Sequence, residues 1–279
     1  MAERLDEVDL TIAAMVEVLE SSLEGVTAPG ERALLARALA ALHPRAAGRR
    51  LDDAVNYVPE LSPVLGDFAG VVRDTACSFA AGARMWGAPA WQRTKSISTN
   101  AAATAPPLRR FVREFRAESL DAFIIKPELK REPRTVSDLG RLLRDLLTFL
   151  GEFDPTGANA MRELMIGRGW QWSFAGEEMF VMVMSDVYPA AHVRHAPTGT
   201  FVMLQPSEAF TAHGIGGGKP YGDSLKQRVR SAFESAGRSY PSQSIDRRVE
   251  AHLYLLPLEG EPPTAWWEPD GLPDQPVLF

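Results

Sequence analysis

The chain predicts an α+β fold: an antiparallel sheet packed with helices, plus an N-terminal helical extension. Three observations carry this. Apolar runs of strand length fall late, at Met179–Met184, Thr200–Leu204 and Val249–Leu256. Stripes of helical period fall early. Strand and helix do not alternate along the chain in the way a parallel α/β sheet requires.

The elements follow in order. Leu5, Val8, Ile12, Met15, Val16 and Leu19 recur at the spacing of one buried helical face. Ala28-Pro29-Gly30 breaks that helix, and an Ala/Leu/Arg-rich one continues to Leu42. Residues 1–48 therefore read as a helical extension, suited to packing on the body or to a homodimer contact, and 49–279 as the main domain. Asp74–Arg84 is small and apolar, which suits tight packing or close approach to a flat ligand. Ser96–Ala105 is polar and Ala/Thr/Asn-rich, and reads as a loop able to act as a lid.

Pro106–Arg116 reads as a short helix with proline in its first turn and Arg109, Arg110, Arg113 and Arg116 on its polar side. Val136–Phe153 carries the clearest helical stripe, Leu139, Leu142, Leu143, Leu146, Leu147 and Leu150, with Thr135 or Ser137 as its cap. Trp170–Phe174, the turn at Ala175–Glu178 and Met179–Met184 form an antiparallel hairpin, and Thr200–Leu204 is the next strand. Asp223–Ser235 reads as a helix, Val249–Leu256 as a last strand, and the tail from Pro257 as irregular chain.

Composition narrows the function. At 279 residues and 45% apolar composition the chain buries a substantial core. A net charge of −6 argues against nucleic acid or an anionic membrane surface as partner. No apolar run approaches the roughly 18–20 residues that span a bilayer. The acidic start, MAERLDEVDL, fits neither a secretory signal nor a transit peptide. A single cysteine, Cys77, forms no internal disulfide, so a cytoplasmic setting is expected.

Few motifs carry chemistry. His192-Val193-Arg194-His195 lies between two strands and holds two of the five histidines. Imidazole is the commonest metal ligand, although such a tetrapeptide is ordinarily no more than polar loop. Cys77 is a candidate thiolate, but a lone cysteine among Ala, Ser and Phe is more often a small buried hydrophobe. His252 would share a strand face with Glu250 and Tyr254. There is no zinc pattern and no GxSxG elbow. Gly214–Gly218 before Lys219 lacks the spacing of a phosphate loop.

Trp172-Ser-Phe-Ala-Gly-Glu-Glu-Met-Phe180-Val181 and Phe201-Val-Met-Leu-Gln205-Pro206, with Arg194 between them and Phe210 beyond, resemble the YqcI/YcgG family. Fainter echoes are Thr75-Ala-Cys77 and Glu250-Ala-x-x-Tyr254, so the similarity reaches from about residue 66 to 254. Characterised members of that family are heme-dependent N-oxygenases, among them an arginine N-hydroxylase of antibiotic (D-cycloserine) biosynthesis. The resemblance implies a heme b monooxygenase that hydroxylates nitrogen on a small amino or guanidino compound, with L-arginine foremost. It would use O2 or peroxide, and an electron-donor protein where O2 is used. Tyr188-Pro189 stands where members often carry His-Pro. The implied axial ligand is then His192, with His195, Cys77 and His252 as alternatives. Arg194 would anchor a propionate, and Glu178 and Glu250 would orient a cationic substrate. Other heme chemistry (dehydration or N–N bond formation) and a non-catalytic heme sensor remain open.

Overall fold

The computed structural model describes residues 62–162, 169–212, 222–238 and 249–268. The expected N-terminal helices, the dimer contact assigned to them and the Gly214–Gly218 loop lie outside the described residues. Five strands form one sheet: β1 (Met85–Gly87), β2 (Ala122–Ile125), β3 (Trp172–Phe174), β4 (Glu177–Met184) and β5 (Phe201–Pro206). Their spatial order is β1-β2-β5-β4-β3. Among the described residues six α-helices accompany them: α1 (Pro63–Asp74), α2 (Ile97–Glu118), α3 (Val136–Glu152), α4 (Ser207–Ala212), α5 (Gly222–Ser235) and α6 (Ala251–Tyr254). The architecture is α+β, as expected.

The sheet is mixed rather than antiparallel throughout. β1 runs parallel to β2 in register Met85↔Ala122, whereas β2–β5, β5–β4 and β4–β3 are antiparallel. The cause is α2, whose 22 residues return the chain to the end where β1 began. That helix also corrects the expected lid, because Ser96–Ala105 is its N-cap and first turns. The Ser96 hydroxyl accepts the Thr99 N–H at 3.1 Å. Asn100 Nδ2 donates to the carbonyls of Gln92 and Ser96, which fastens the preceding loop to the helix. Ala101, Ala102 and Ala105 are buried. Pro106 and Pro107 therefore sit inside a helix, where each ordinarily costs about 3 kcal/mol. Burial of the alanine face and of Leu108, Phe111 and Phe115 outweighs that cost.

α3 matches expectation. Thr135 Oγ1 accepts the Asp138 N–H and Asp138 Oδ2 accepts the Thr135 N–H, both at 3.0 Å, a reciprocal capping box. Its leucine stripe packs with α2 on one face of the sheet. The strands alternate accordingly. Val181, Val183, Val202 and Leu204 point into that core, while Met182, Met184 and Met203 point to the opposite face. On that second face α1 covers one end through Val64, Leu65, Phe68 and Val71.

Val249–Leu256 is not a strand. It contains the single helical turn α6, with Ala251 and Tyr254 buried and spaced three apart on its inner side. A short apolar run is compatible with either period, and the packing decides between them. The Tyr254 hydroxyl accepts the Trp172 N–H at 3.1 Å and donates to the Met179 carbonyl at 3.0 Å, which docks α6 on the β3–β4 pair. Among the described residues no helix is long and apolar enough to cross a membrane.

Candidate functional site

A cavity of about 1010 Å³ opens on the sheet face opposite α2 and α3. Its floor is the second face of the strands, chiefly Met85, Phe180, Met182, Met184, Met203 and Gln205. α1 and the 75–83 segment wall one side; α4, α5, Glu250 and Leu253 wall the other. The lining is largely apolar and aromatic, the usual character of a ligand site. Methionines give such a floor adaptability, because the unbranched thioether has several accessible rotamers.

Polar groups enter from four segments. Glu178 lies on the even-numbered face of β4 with Phe180 and Met182. Glu250 precedes α6 and is half-buried. Its Oε2 accepts from Gln171 Nε2 at 2.5 Å, while Oε1 is sealed from solvent with no hydrogen-bond partner. Burial raises the Glu250 pKa above the ordinary carboxylate value; the Gln171 hydrogen bond opposes this, Glu178 adds to it, and Lys226 opposes it. Lys226 and Arg230 reach the cavity from α5, and Arg194 from the loop after β4.

Of the four residues expected to hold a cofactor, Cys77 and Arg194 reach the cavity, and His192 and His195 do not. Cys77 sits in a tight turn: its N–H donates to Thr75 Oγ1 at 3.3 Å, and its carbonyl accepts the Ala80 N–H at 3.1 Å. Arg194 is buried and donates from Nη2 to the Leu253 carbonyl at 3.0 Å. His192, expected to bind metal, is buried beneath Tyr188, with ring centroids 4.3 Å apart and planes 5° from parallel. Its Nδ1 accepts the Arg194 N–H at 3.1 Å, which leaves the ring proton on Nε2 to be donated to the Pro257 carbonyl at 3.2 Å. Neither lone pair is available to iron in this arrangement. The His192 pKa is pushed down to about 4, chiefly by burial; the Pro257 hydrogen bond opposes this, and the neighbouring Arg194 and His195 act with burial. His195 Nδ1 bonds the Tyr188 carbonyl at 2.7 Å. His252 packs against Trp267, away from the cavity wall.

The tetrapeptide and Tyr188 thus form a clasp. Arg194, Tyr188 and His192 hold the carbonyls of Leu253, Leu256 and Pro257 in turn. That clasp sets the chain on which Glu250 and Leu253 are mounted. Of the α2 arginines, Arg110 and Arg113 pair with Glu114, and Arg116 bridges Glu177 and Glu208 at the cavity rim. Sequence reasoning passed over Gln171, Lys226, Arg230 and the methionine floor. The floor was accessible in principle, since the period of two in β4 and β5 puts Glu178, Met182 and Met203 on one face. Lys226 and Arg230 carried no comparable signal. Among the described residues no cluster of three or more His, Cys, Asp or Glu forms a metal cage.

The fold and site define a class: a single mixed sheet, helix-covered on one face, with a ligand cavity on the other. A family comparison places the chain within it. Residues 69–252 match the YqcI/YcgG family, and the chain belongs to that family. No curated protein and no solved structure matches it.

Proposed function

We propose that the chain is a heme-dependent monooxygenase that hydroxylates a nitrogen of a small cationic amino or guanidino compound, with L-arginine as leading substrate. The observation that carries the reading is the Glu250 carboxylate: sealed from solvent at Oε1, lacking a partner there, and sharing an apolar cavity with Glu178. A buried acceptor left unsatisfied is costly, and a cationic N–H group is the ligand that relieves it best. Family membership and the resemblance to N-oxygenases favour nitrogen as the site of reaction.

The residues present suit heme b. The cavity has apolar and aromatic walls, a thiol at Cys77, and cations at Arg194, Lys226 and Arg230 that match propionates. When bound, the heme would supply activation of O2 or peroxide. Cys77, rather than His192, is the donor on the wall, and the turn around it holds its backbone for coordination. A reducing cytoplasm would keep that thiol free for the role. The methionine floor presents an apolar surface to the reacting nitrogen. Glu178 and Glu250 orient the substrate cation and tend to retain its charge. An electron-donor protein is the implied partner where O2 is the oxidant.

The test is the visible spectrum of protein purified from heme-supplemented cells. A Soret band is expected in the parent and in His192→Gln, and its loss or displacement in Cys77→Ala. L-Arginine should perturb the parent band, and the perturbation should need at least about tenfold more ligand in Glu250→Gln. Absence of a Soret band in the parent would overturn the heme reading. A Cys77→Ala band identical to the parent's would remove the thiolate.

A further inference from the structure

Beside Glu178 and Glu250, two of the carboxylates that line the cavity, lies a side chain that the proposed chemistry does not use. Gln171, immediately before β3, donates from Nε2 to Glu250 Oε2 at 2.5 Å and accepts at Oε1 from the Ser207 hydroxyl at 3.1 Å. Ser207 opens α4. Three segments distant in sequence therefore meet in one chain of hydrogen bonds at the cavity wall. The polarity of that chain follows from an ionised Glu250. A carboxylate only accepts, so the Gln171 amide must present its nitrogen to Glu250 and its oxygen to Ser207.

We propose that Gln171, oriented by Ser207, is a positioning residue for cation recognition: its amide holds Glu250 Oε2 and so favours the charged carboxylate at the cavity wall, with Oε1 buried and without a competing donor. The inference rests on the cationic-substrate reading above. Without Gln171 the carboxylate would lose its hydrogen-bond donor while remaining beside Glu178, and its charged form would become less favourable. The other ionisable groups around it are Lys226 and Arg230 from α5, Arg194 from the clasp, Glu208 from α4 and Tyr254 on α6. None of these replaces an amide donor held against Oε2.

The sign follows from this. A hydrogen bond to the charged form lowers the Glu250 pKa, so its removal raises that pKa and moves the onset of cation binding to higher pH. L-Arginine binding to the full-length protein purified from heme-supplemented cells is titrated calorimetrically from pH 4.5 to 9 for the parent, Gln171→Met, Ser207→Ala and Glu250→Gln. Gln171→Met should bind about tenfold more weakly at the acidic end and recover most of that loss at the alkaline end. The midpoint of its pH profile should move to higher pH. Ser207→Ala should shift the midpoint the same way by less, with a thermal midpoint close to the parent's. A loss equal at every pH, or no loss, overturns the positioning role while leaving the cationic-substrate reading intact, provided that Glu250→Gln still weakens binding. A parent that binds no cation overturns both.

Discussion

His192 lies flat on Tyr188 with both ring nitrogens in hydrogen bonds, so its protonation is linked to folding. Burial lowers its pKa from 6.5 to about 4. The unfolded chain therefore binds a proton at this site over a pH window in which the folded chain does not. Stability from this group is fully present above pH 6.5 and is lost progressively as the pH falls toward 4. The size is on the order of 3 kcal/mol. Urea unfolding between pH 7 and 4 should show this acid loss in the parent and a flatter dependence in His192→Gln. A parallel decline in both proteins would remove His192 as its cause. The tetrapeptide was legible as a notable feature of the sequence, but its role was not. Coordination requires a free lone pair, and the Arg194 N–H and Pro257 carbonyl that engage the ring are placed only by the folded chain.

The β3–β4 hairpin closes through two residues, Ala175 and Gly176, with φ of 54° and 80°. Two positive φ values in a two-residue connection mark a type I′ turn, which matches the twist of the flanking strands. Glycine adopts that conformation freely, whereas alanine loses roughly 1 kcal/mol to Cβ crowding. The Ala175 N–H donates to Asp154 Oδ2 at 2.9 Å, which anchors the turn to the end of α3. Ala175→Asn should raise unfolding stability by about 0.5–1 kcal/mol, because asparagine tolerates this backbone and keeps the N–H donor. Chemical denaturation checks it, and a destabilised variant would refute the turn assignment. This hairpin was readable from sequence because turn chemistry and alternation agree there. In α2 and α6 local signals misled. Paired prolines suggested a helix start, although buried alanines extend the helix through them. A short apolar run suggested a strand, although Tyr254 is held by β3 and β4 in a helical turn.

Across the whole molecule, one sheet separates two environments. The face toward α2 and α3 is close-packed core, and the opposite face is partly cavity. Adjacent residues on β4 should therefore respond differently to truncation. Val181→Ala removes buried methyls from the core and should cost about 2–3 kcal/mol. Met182→Ala opens a cavity wall that already meets solvent, so it should cost about 1 kcal/mol or less while changing binding in the cavity, read as the spectrum of the proposed heme. Equal losses of stability would mean that the second face is packed as tightly as the first.

The sequence by itself determined the α+β class, the α3 helix with its leucine stripe and cap, the hairpin with its succeeding strand, and the resemblance that the match over residues 69–252 supports. These depend on near neighbours: period, capping and turn residues act within a few positions of one another. Only the tertiary structure decided that β1 is parallel, that α2 runs through its prolines, and that Cys77 and Arg194 reach the cavity while His192 and His195 do not. It also brought Gln171, Ser207 and Glu250 into one hydrogen-bonded chain. Those outcomes depend on groups far apart in sequence, whose desolvation and hydrogen bonding are settled together when the chain closes, and no local pattern encodes that sum.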